Sequence, residues 1–265
     1  MERRARIEAS SREAQDLKLL LENWRKFLKE DTEPYPYQIY CDMDGVLVGY
    51  EKGVVEMINQ RLVAYLENPD PNYEFYKQIE RLRRALDDAM RLPEEGITAD
   101  DISMTTQPRT ELIIAARDYM YRLAENDPQF WANLPWRTGG RELWDYIRKI
   151  TAGGPAPIIL TKPIKDPSSG GLPLTPSEEG KAIWVKTHLG APTPTVLFSK
   201  TKFEYATTDG YPNILIDDLE KNVKNWLAPE EPEKMGGFAI QHKNFADTKA
   251  DLEYIATIPR EKSTS

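Results

Sequence analysis

Asp42 and Asp44 stand one residue apart in the run "YCDMDGVLVGY" (residues 40–50), at the end of a short apolar segment and directly before a glycine. A carboxylate in such a place can attack phosphorus and carry the phosphoryl group as an acyl phosphate. A second carboxylate, one residue further along a turn, can protonate the leaving oxygen and later take a proton from a hydrolytic water. Gly45 allows the tight turn that this arrangement needs. The pair alone does not decide the matter, since acidic loops also bind calcium or merely turn the chain.

The elements around the pair narrow the choice. "YQIYCD" (37–42) is short, apolar and β-rich, and four similar runs occur later: "APIILT" (156–161), "TVLFSK" (195–200), "NILIDD" (213–218) and "GGFAIQHK" (236–243). Helical patterns such as "RELWDYIRKI" (141–150) and "GKAIWVKTHLG" (180–190) separate several of them. Short buried strands alternating with helices predict a parallel α/β sheet built of βαβ units. Ligands bind such sheets beyond the carboxyl ends of the strands. Those ends carry Asp42 and Asp44, Thr161, the group Ser199, Lys200 and Lys202, and the pair Asp217 and Asp218. Several carboxylates meeting at one rim repel one another unless a cation lies among them, and hard oxygen ligands of this kind suit Mg²⁺ with substrate phosphate as a further ligand. A lysine and a hydroxyl beside the ion can hold phosphate oxygens.

The order of these groups resembles the four-motif set of the haloacid dehalogenase (HAD) superfamily of phosphotransferases: "DMDGV", a strand ending in Thr161, a lysine, and "ILIDD". The resemblance runs from about residue 37 to 244. It implies a Rossmann-like core with a mainly parallel sheet and a helical cap inserted after the first motif. It also implies roles. Asp42 matches the nucleophile and a metal ligand. Asp44 matches the general acid/base, with its backbone carbonyl on the metal. Thr161 matches the hydroxyl that holds the phosphoryl group, and Asp217 the direct Mg²⁺ ligand, with Asp218 acting through water or the lysine. Lys202 is the preferred third-motif lysine, because "KFEYA" resembles the segment after that lysine in nucleotidase-like relatives; Lys200 is the runner-up. The aspartate at position 44 favours phosphate-ester hydrolysis over dehalogenation or ion pumping.

The stretch from 54 to 135 reads as three helices broken at "NPDPN" and "LPEEG", and is expected to form the cap. Its end, "NDPQFWANLPWRTGGRELWDYI" (126–147), together with "NILIDDLEKNVKNW" and "GGFAIQHKN", resembles 5'(3')-deoxyribonucleotidases, particularly phage-encoded members. That implies a nucleoside monophosphate as substrate; Phe130, Trp131 and Trp136 could stack on a base, Tyr50 could face the pocket, and Lys162 is a further substrate-binding candidate. The alternative for each aromatic is ordinary packing. The chain departs from that group at Val48, Gly49 and Tyr50, in its longer cap, in the segment before the first strand and in the proline-rich run after Thr161.

The remaining expectations concern organisation. The 265 residues carry a formal net charge of −8 and one cysteine. The acidic balance argues against a general nucleic-acid binder, and the lone Cys41 excludes an internal disulfide and reads as a small buried hydrophobe. No run is apolar for long enough to span a bilayer, and "MERRARIEAS" lacks the apolar segment of a secretory signal, so a cytoplasmic protein without membrane partners is expected. Residues 1–34 are expected as a helical extension, 35–53 and 136–259 as the core, 54–135 as the cap and 260–265 as a flexible tail. "KPIKDPSSGGLPLTPSEEG" (162–180) is expected to be an exposed loop. Trp144, Trp184 and Trp226 fall on helical patterns and read as core, and His188 and His242 have no metal-ligand spacing. "RLRRALDDAMR" (81–91) mixes charges and reads as a solvated helix face. Asp217 and Asp218 could also be a helix cap pair. A polynucleotide 3'-phosphatase, a small sugar-phosphate phosphatase, and a non-catalytic binding module on the same fold remain as alternatives, and a homo-oligomer is compatible with all of them.

Overall fold

Each of the five apolar runs contains a strand: β1 (Ile39–Cys41), β2 (Ile158–Thr161), β3 (Val196–Phe198), β4 (Ile214–Asp217) and β5 (Phe238–Gln241). They form one parallel sheet with β1 at its centre, in the order β3–β2–β1–β4–β5. This is the doubly wound order of Rossmann-like folds, and the chain reverses direction across the sheet at β1. The register is tight: Cys41 lies opposite Ile159 on one side and Ile216 on the other. The computed structural model describes residues 35–92, 95–103, 110–164, 173–229 and 235–262. The expected N-terminal helix therefore lies outside the described residues.

Alternation along the strands splits the core into two layers. Ile39, Cys41, Ile159, Ile214 and Ile216 join a large apolar cluster on one face. Tyr40, Leu160 and Leu215 point the other way, onto Trp226 and Ala206. The large cluster takes in the helices between β1 and β2, namely α1 (Tyr50–Glu67), α2 (Tyr76–Asp88), α3 (Ala99–Ile102), α4 (Glu111–Asn126) and α5 (Pro128–Ala132), as well as α6 (Gly140–Ile150). It also includes α7 (Pro176–His188), between β2 and β3, and α9 (Phe245–Ala256), after β5. The remaining helix, α8 (Glu220–Leu227), supplies Trp226 to the smaller layer. The inserted helices and the sheet thus share one continuous core. Trp144, Trp184 and Trp226 are all buried in these layers.

Two sequence expectations shift at their edges. The expected loop over 162–180 ends at Thr175, where α7 starts. Thr175 and Glu178 form a capping box and Pro176 occupies the first turn, so the last residues of that proline-rich run open a helix. Residues 165–172 lie outside the described residues. At the other end, Arg260 and Lys262, placed in the expected free tail, lie 4.7 and 5.3 Å from the centre of the Tyr211 ring. Tyr211 belongs to a small hairpin, Thr207–Thr208 with Tyr211–Pro212, turned by Asp209 and Gly210, both at positive φ. Among the described residues no helix is long and apolar enough to cross a membrane.

Candidate active site

β1 ends in Asp42, whose amide donates to Ile216 O at 2.9 Å and so keeps the strand pairing for one more residue. The chain then folds back on itself. The amides of Leu47 and Val48 both donate to Met43 O at 2.9 Å, and Gly45 turns the corner at φ 74°. A side chain at Gly45 would overlap the Asp218 carboxylate, so the glycine also admits Asp218 to the site. Gly49 N to Pro135 O and Arg137 N to Leu47 O then tie this turn to the segment leading into α6.

The strand ends converge as the sheet order requires. Asp42, Asp217 and Asp218 each place a carboxylate oxygen within 4.8 Å of the others. Asp42 and Asp217 are buried. Lys202 Nζ sits between them, 2.8 Å from Asp42 Oδ1 and 2.7 Å from Asp217 Oδ2. The contact with Asp217 is an aligned hydrogen bond. That with Asp42 Oδ1 is an ion pair without hydrogen-bond geometry, and this oxygen has no donor. Burial alone would lower the Lys202 pKa, yet the carboxylates of Asp42 and Asp217 outweigh it and raise the value, so the ammonium is firmly charged. Lys200, the other candidate for this position, is exposed.

Asp217 is saturated by protein donors. Besides Lys202 it accepts from Leu219 N at 2.9 Å and from Asn222 Nδ2 at 3.1 and 3.0 Å. Asp218 has no such company. Burial, with the charges of Asp42 and Asp217, pushes its pKa up to about 7. The sequence reading places the ion on Asp217 with Asp218 behind it; the donor pattern leaves Asp218 as the freer carboxylate.

On the far side of Asp42, Asp44 Oδ2 accepts from Lys181 Nζ at 2.5 Å, while its Oδ1 is buried without a partner. Burial raises the Asp44 pKa, opposed by the Lys181 charge and reinforced by Asp42. Lys181 also donates to Thr161 Oγ1 at 3.0 Å and to Lys162 O at 2.7 Å. Thr161 is fully buried, whereas the Lys162 side chain is exposed and only its carbonyl joins the network. Sequence reasoning does not find Lys181, because it lies just past a run that reads as a loop.

The pairing leaves an imbalance. Two lysines face four carboxylates: Lys202 is shared by Asp42 and Asp217, Lys181 holds Asp44, and Asp218 has neither. Three carboxylates within 4.8 Å of one another, facing a single shared ammonium, form a donor set that fits a hard divalent cation.

The aromatic residues proposed for a base pocket fall into two groups. Phe130 and Trp131 are buried, and Trp131 Nε1 donates to Ala124 O at 2.8 Å. One neighbour of the Trp131 ring is Tyr50, stacked at 27° and 5.7 Å; another is Lys181 Nζ, 4.5 Å from the ring centre. These two residues pack, as the alternative reading has it. Tyr50 is half-buried, and its hydroxyl pKa is raised by burial and then by the Asp44 charge, which puts it beside the site. Trp136 packs on Trp184 and His188, with Arg141 over its ring. His242 is buried, bonded through Nδ1 to Thr248 Oγ1 at 2.8 Å. The arginines of 81–91 are engaged by acidic partners: Arg81 by Glu111, Arg83 and Arg84 by Glu80, and Arg91 by Asp101.

No family model and no curated protein matches the chain. Solved structures with a similar arrangement include a hydrolase of Streptococcus pneumoniae TIGR4, at 12% identity over 83% of this chain and 99% of that one, with a TM-score of 0.42. A HAD-superfamily hydrolase of Ehrlichia chaffeensis matches at 10% identity over 84% and 99%, with a TM-score of 0.41. A haloacid dehalogenase-like family hydrolase of Xanthomonas campestris matches at 17% identity over 85% and 95%, with a TM-score of 0.39. At these identities and scores, the chemistry rests on the residues of this chain.

Proposed function

We propose that the chain is a Mg²⁺-dependent phosphomonoester hydrolase of the HAD type that works through an aspartyl-phosphate on Asp42, with nucleoside monophosphates as its substrate class. The observation that carries this reading is the charge pattern at the strand ends: Asp42, Asp217 and Asp218 meet around one shared ammonium, Lys202, while Lys181 is taken by Asp44, so four carboxylates share two cations. Asp42, the Asp44 carbonyl and Asp218 would hold the ion, and Asp217 would fix Lys202. When bound, Mg²⁺ offsets the charge of the carboxylates and of the phosphoryl oxygens. Asp42 attacks phosphorus, Asp44 gives its proton to the departing alkoxide, and Lys202 and Thr161 hold the phosphoryl oxygens. Water then attacks the aspartyl-phosphate, Asp44 takes its proton, and phosphate leaves.

The mononucleotide preference is supported by Tyr50, half-buried beside Asp44. The arginines of 81–91 each face a carboxylate, which offsets the positive charge a polynucleotide backbone needs. The test is phosphate release, with and without Mg²⁺, across ribo- and deoxynucleoside 5'- and 3'-monophosphates, a 3'-phosphorylated oligonucleotide and sugar phosphates. Turnover of a subset of the mononucleotides is expected. Activity on the oligonucleotide alone would move the function to end processing, and silence on every substrate would leave a binding module.

A further inference from the structure

Lys181 has no donor to spare. Its side chain is fully buried, and the three N–H bonds of its ammonium match three acceptors: Asp44 Oδ2, Lys162 O and Thr161 Oγ1. A phosphate oxygen could reach it only by breaking one of these bonds. Lys202 differs, since it spends one hydrogen bond on Asp217 and keeps donors for substrate.

What Lys181 grips decides where two protons sit. It occupies Asp44 Oδ2, which leaves the buried, unpartnered Oδ1 as the oxygen able to carry a proton. It also donates to Thr161 Oγ1, so the hydroxyl proton of Thr161 must point elsewhere. We propose that Lys181 is a positioning residue that fixes Asp44 Oδ1 as the acid–base atom and turns the Thr161 hydroxyl into a donor to the phosphoryl group. This rests on the phosphatase reading above. In the first step Asp42 bonds to phosphorus, the bond from phosphorus to the leaving oxygen breaks, and the proton on Oδ1 passes to that oxygen. In the second, water bonds to phosphorus and returns a proton to Oδ1 as the Asp42 carboxylate departs.

The surroundings hold Lys181 in place. Its ammonium lies against the Trp131 ring, and a side chain at the preceding Gly180 would overlap Pro128 O and Trp131 Cβ, so α7 seats directly on α5. A side chain held between a carboxylate and an aromatic face, out of contact with water, keeps its direction.

The experiment compares two esters in the same preparation. p-Nitrophenyl phosphate releases a phenolate that departs without a proton, whereas an alkyl phosphate needs the general acid. The alkyl ester is the panel member that wild-type protein turns over fastest. For Lys181→Met we expect kcat/KM, which reports the first step alone, to fall about 100-fold on the alkyl ester with KM little changed, and at least about 10-fold less on the aryl ester, within the usual size of general-acid effects. Added to Asp44→Asn, it should shift the alkyl-to-aryl ratio no further. The ratio is independent of the folded fraction, and Lys181→Gln gives the same reading if the methionine variant is too unstable to purify. An unchanged ratio, or a rise in KM alone, overturns the assignment while leaving the phosphatase reading intact. Wild-type protein that hydrolyses no alkyl ester overturns both.

Discussion

Gly45 and Asp218 meet across the site: the glycine sits at φ 74°, and the space a Cβ would need is filled by the Asp218 carboxylate. One residue from the first motif therefore determines where a residue of the last can stand. Gly45→Ala should cost about 1–3 kcal/mol through the left-handed backbone. It should also push Asp218 away from Asp42 and weaken Mg²⁺ binding. Thermal melts with EDTA and with Mg²⁺ separate the two effects, since displacement of Asp218 removes the gain that Mg²⁺ gives. A variant stabilised by Mg²⁺ as much as wild type would show that Asp218 does not hold the ion.

The raised Asp218 pKa gives the metal site a pH dependence with a definite sign. The carboxyl titrates at about 7 in the folded chain and near 3.9 unfolded. Without metal, the stability tied to this group is present at acid pH and is lost as pH rises through about 7. Mg²⁺ needs the carboxylate, so its stabilising effect should grow from pH 5 to pH 8 and then level off. In Asp218→Asn that rise should flatten. A Mg²⁺ effect that falls with pH would refute the assignment of Asp218 as a ligand.

Much of this frame is legible in the chain itself, for a physical reason. Central strands of a parallel sheet are covered on both faces, so "QIYC", "IILT" and "ILID" are apolar runs that a solvent-facing strand would not show. Once those runs are strands, topology alone brings Asp42, Thr161, Lys202 and Asp217 together. Lys181 is hidden for the opposite reason. It stands in the helical run "GKAIWVKTHLG", where no motif marks it, and only the packing of that helix brings it to Asp44. The roles of Asp217 and Asp218 cannot be separated in the sequence either, because the difference comes from Asn222 and the Leu219 amide at the start of the next helix. Nor can composition say whether Phe130 and Trp131 face a ligand or the core.

Replacing the nucleophile should separate chemistry from folding. Asp42→Asn keeps the shape of the side chain but removes its charge and its nucleophilicity. Turnover should vanish, while Lys202 keeps its hydrogen bond to Asp217 and the metal-free melting temperature holds or rises as repulsion within the acidic cluster falls. Phosphate release and an EDTA melt on the same sample check both halves. Retained turnover in pure Asp42→Asn protein would refute the nucleophile assignment.

Lys202→Met should behave in the opposite way. It strands buried Asp42 and Asp217 without their shared cation, and breaking one side of a buried pair costs about 3–5 kcal/mol. The loss should be largest at neutral pH and shrink in acid, where Asp217, whose pKa burial raises, takes up a proton. Denaturant melts at pH 5 and pH 8 would show it, and equal losses at both would mean that packing, not charge, is what Lys202 supplies.

The two aromatic groups predict different failures. Phe130→Ala opens a cavity beneath Tyr50 and Trp131 and should cost about 3–5 kcal/mol. KM for the best mononucleotide should scarcely move in whatever protein remains folded. Tyr50→Ala removes a half-buried ring that stacks on Trp131 and should cost less stability but raise KM if its outer face meets a nucleoside. KM against mononucleotides and against a small sugar phosphate makes the comparison sharper, since a base contact affects only the first. If Tyr50→Ala raises KM equally for both substrates, Tyr50 acts on the phosphate end and the pocket for the base lies elsewhere. If Phe130→Ala raises it while stability holds, Phe130 is the platform after all, reached by a movement of α5 away from α7.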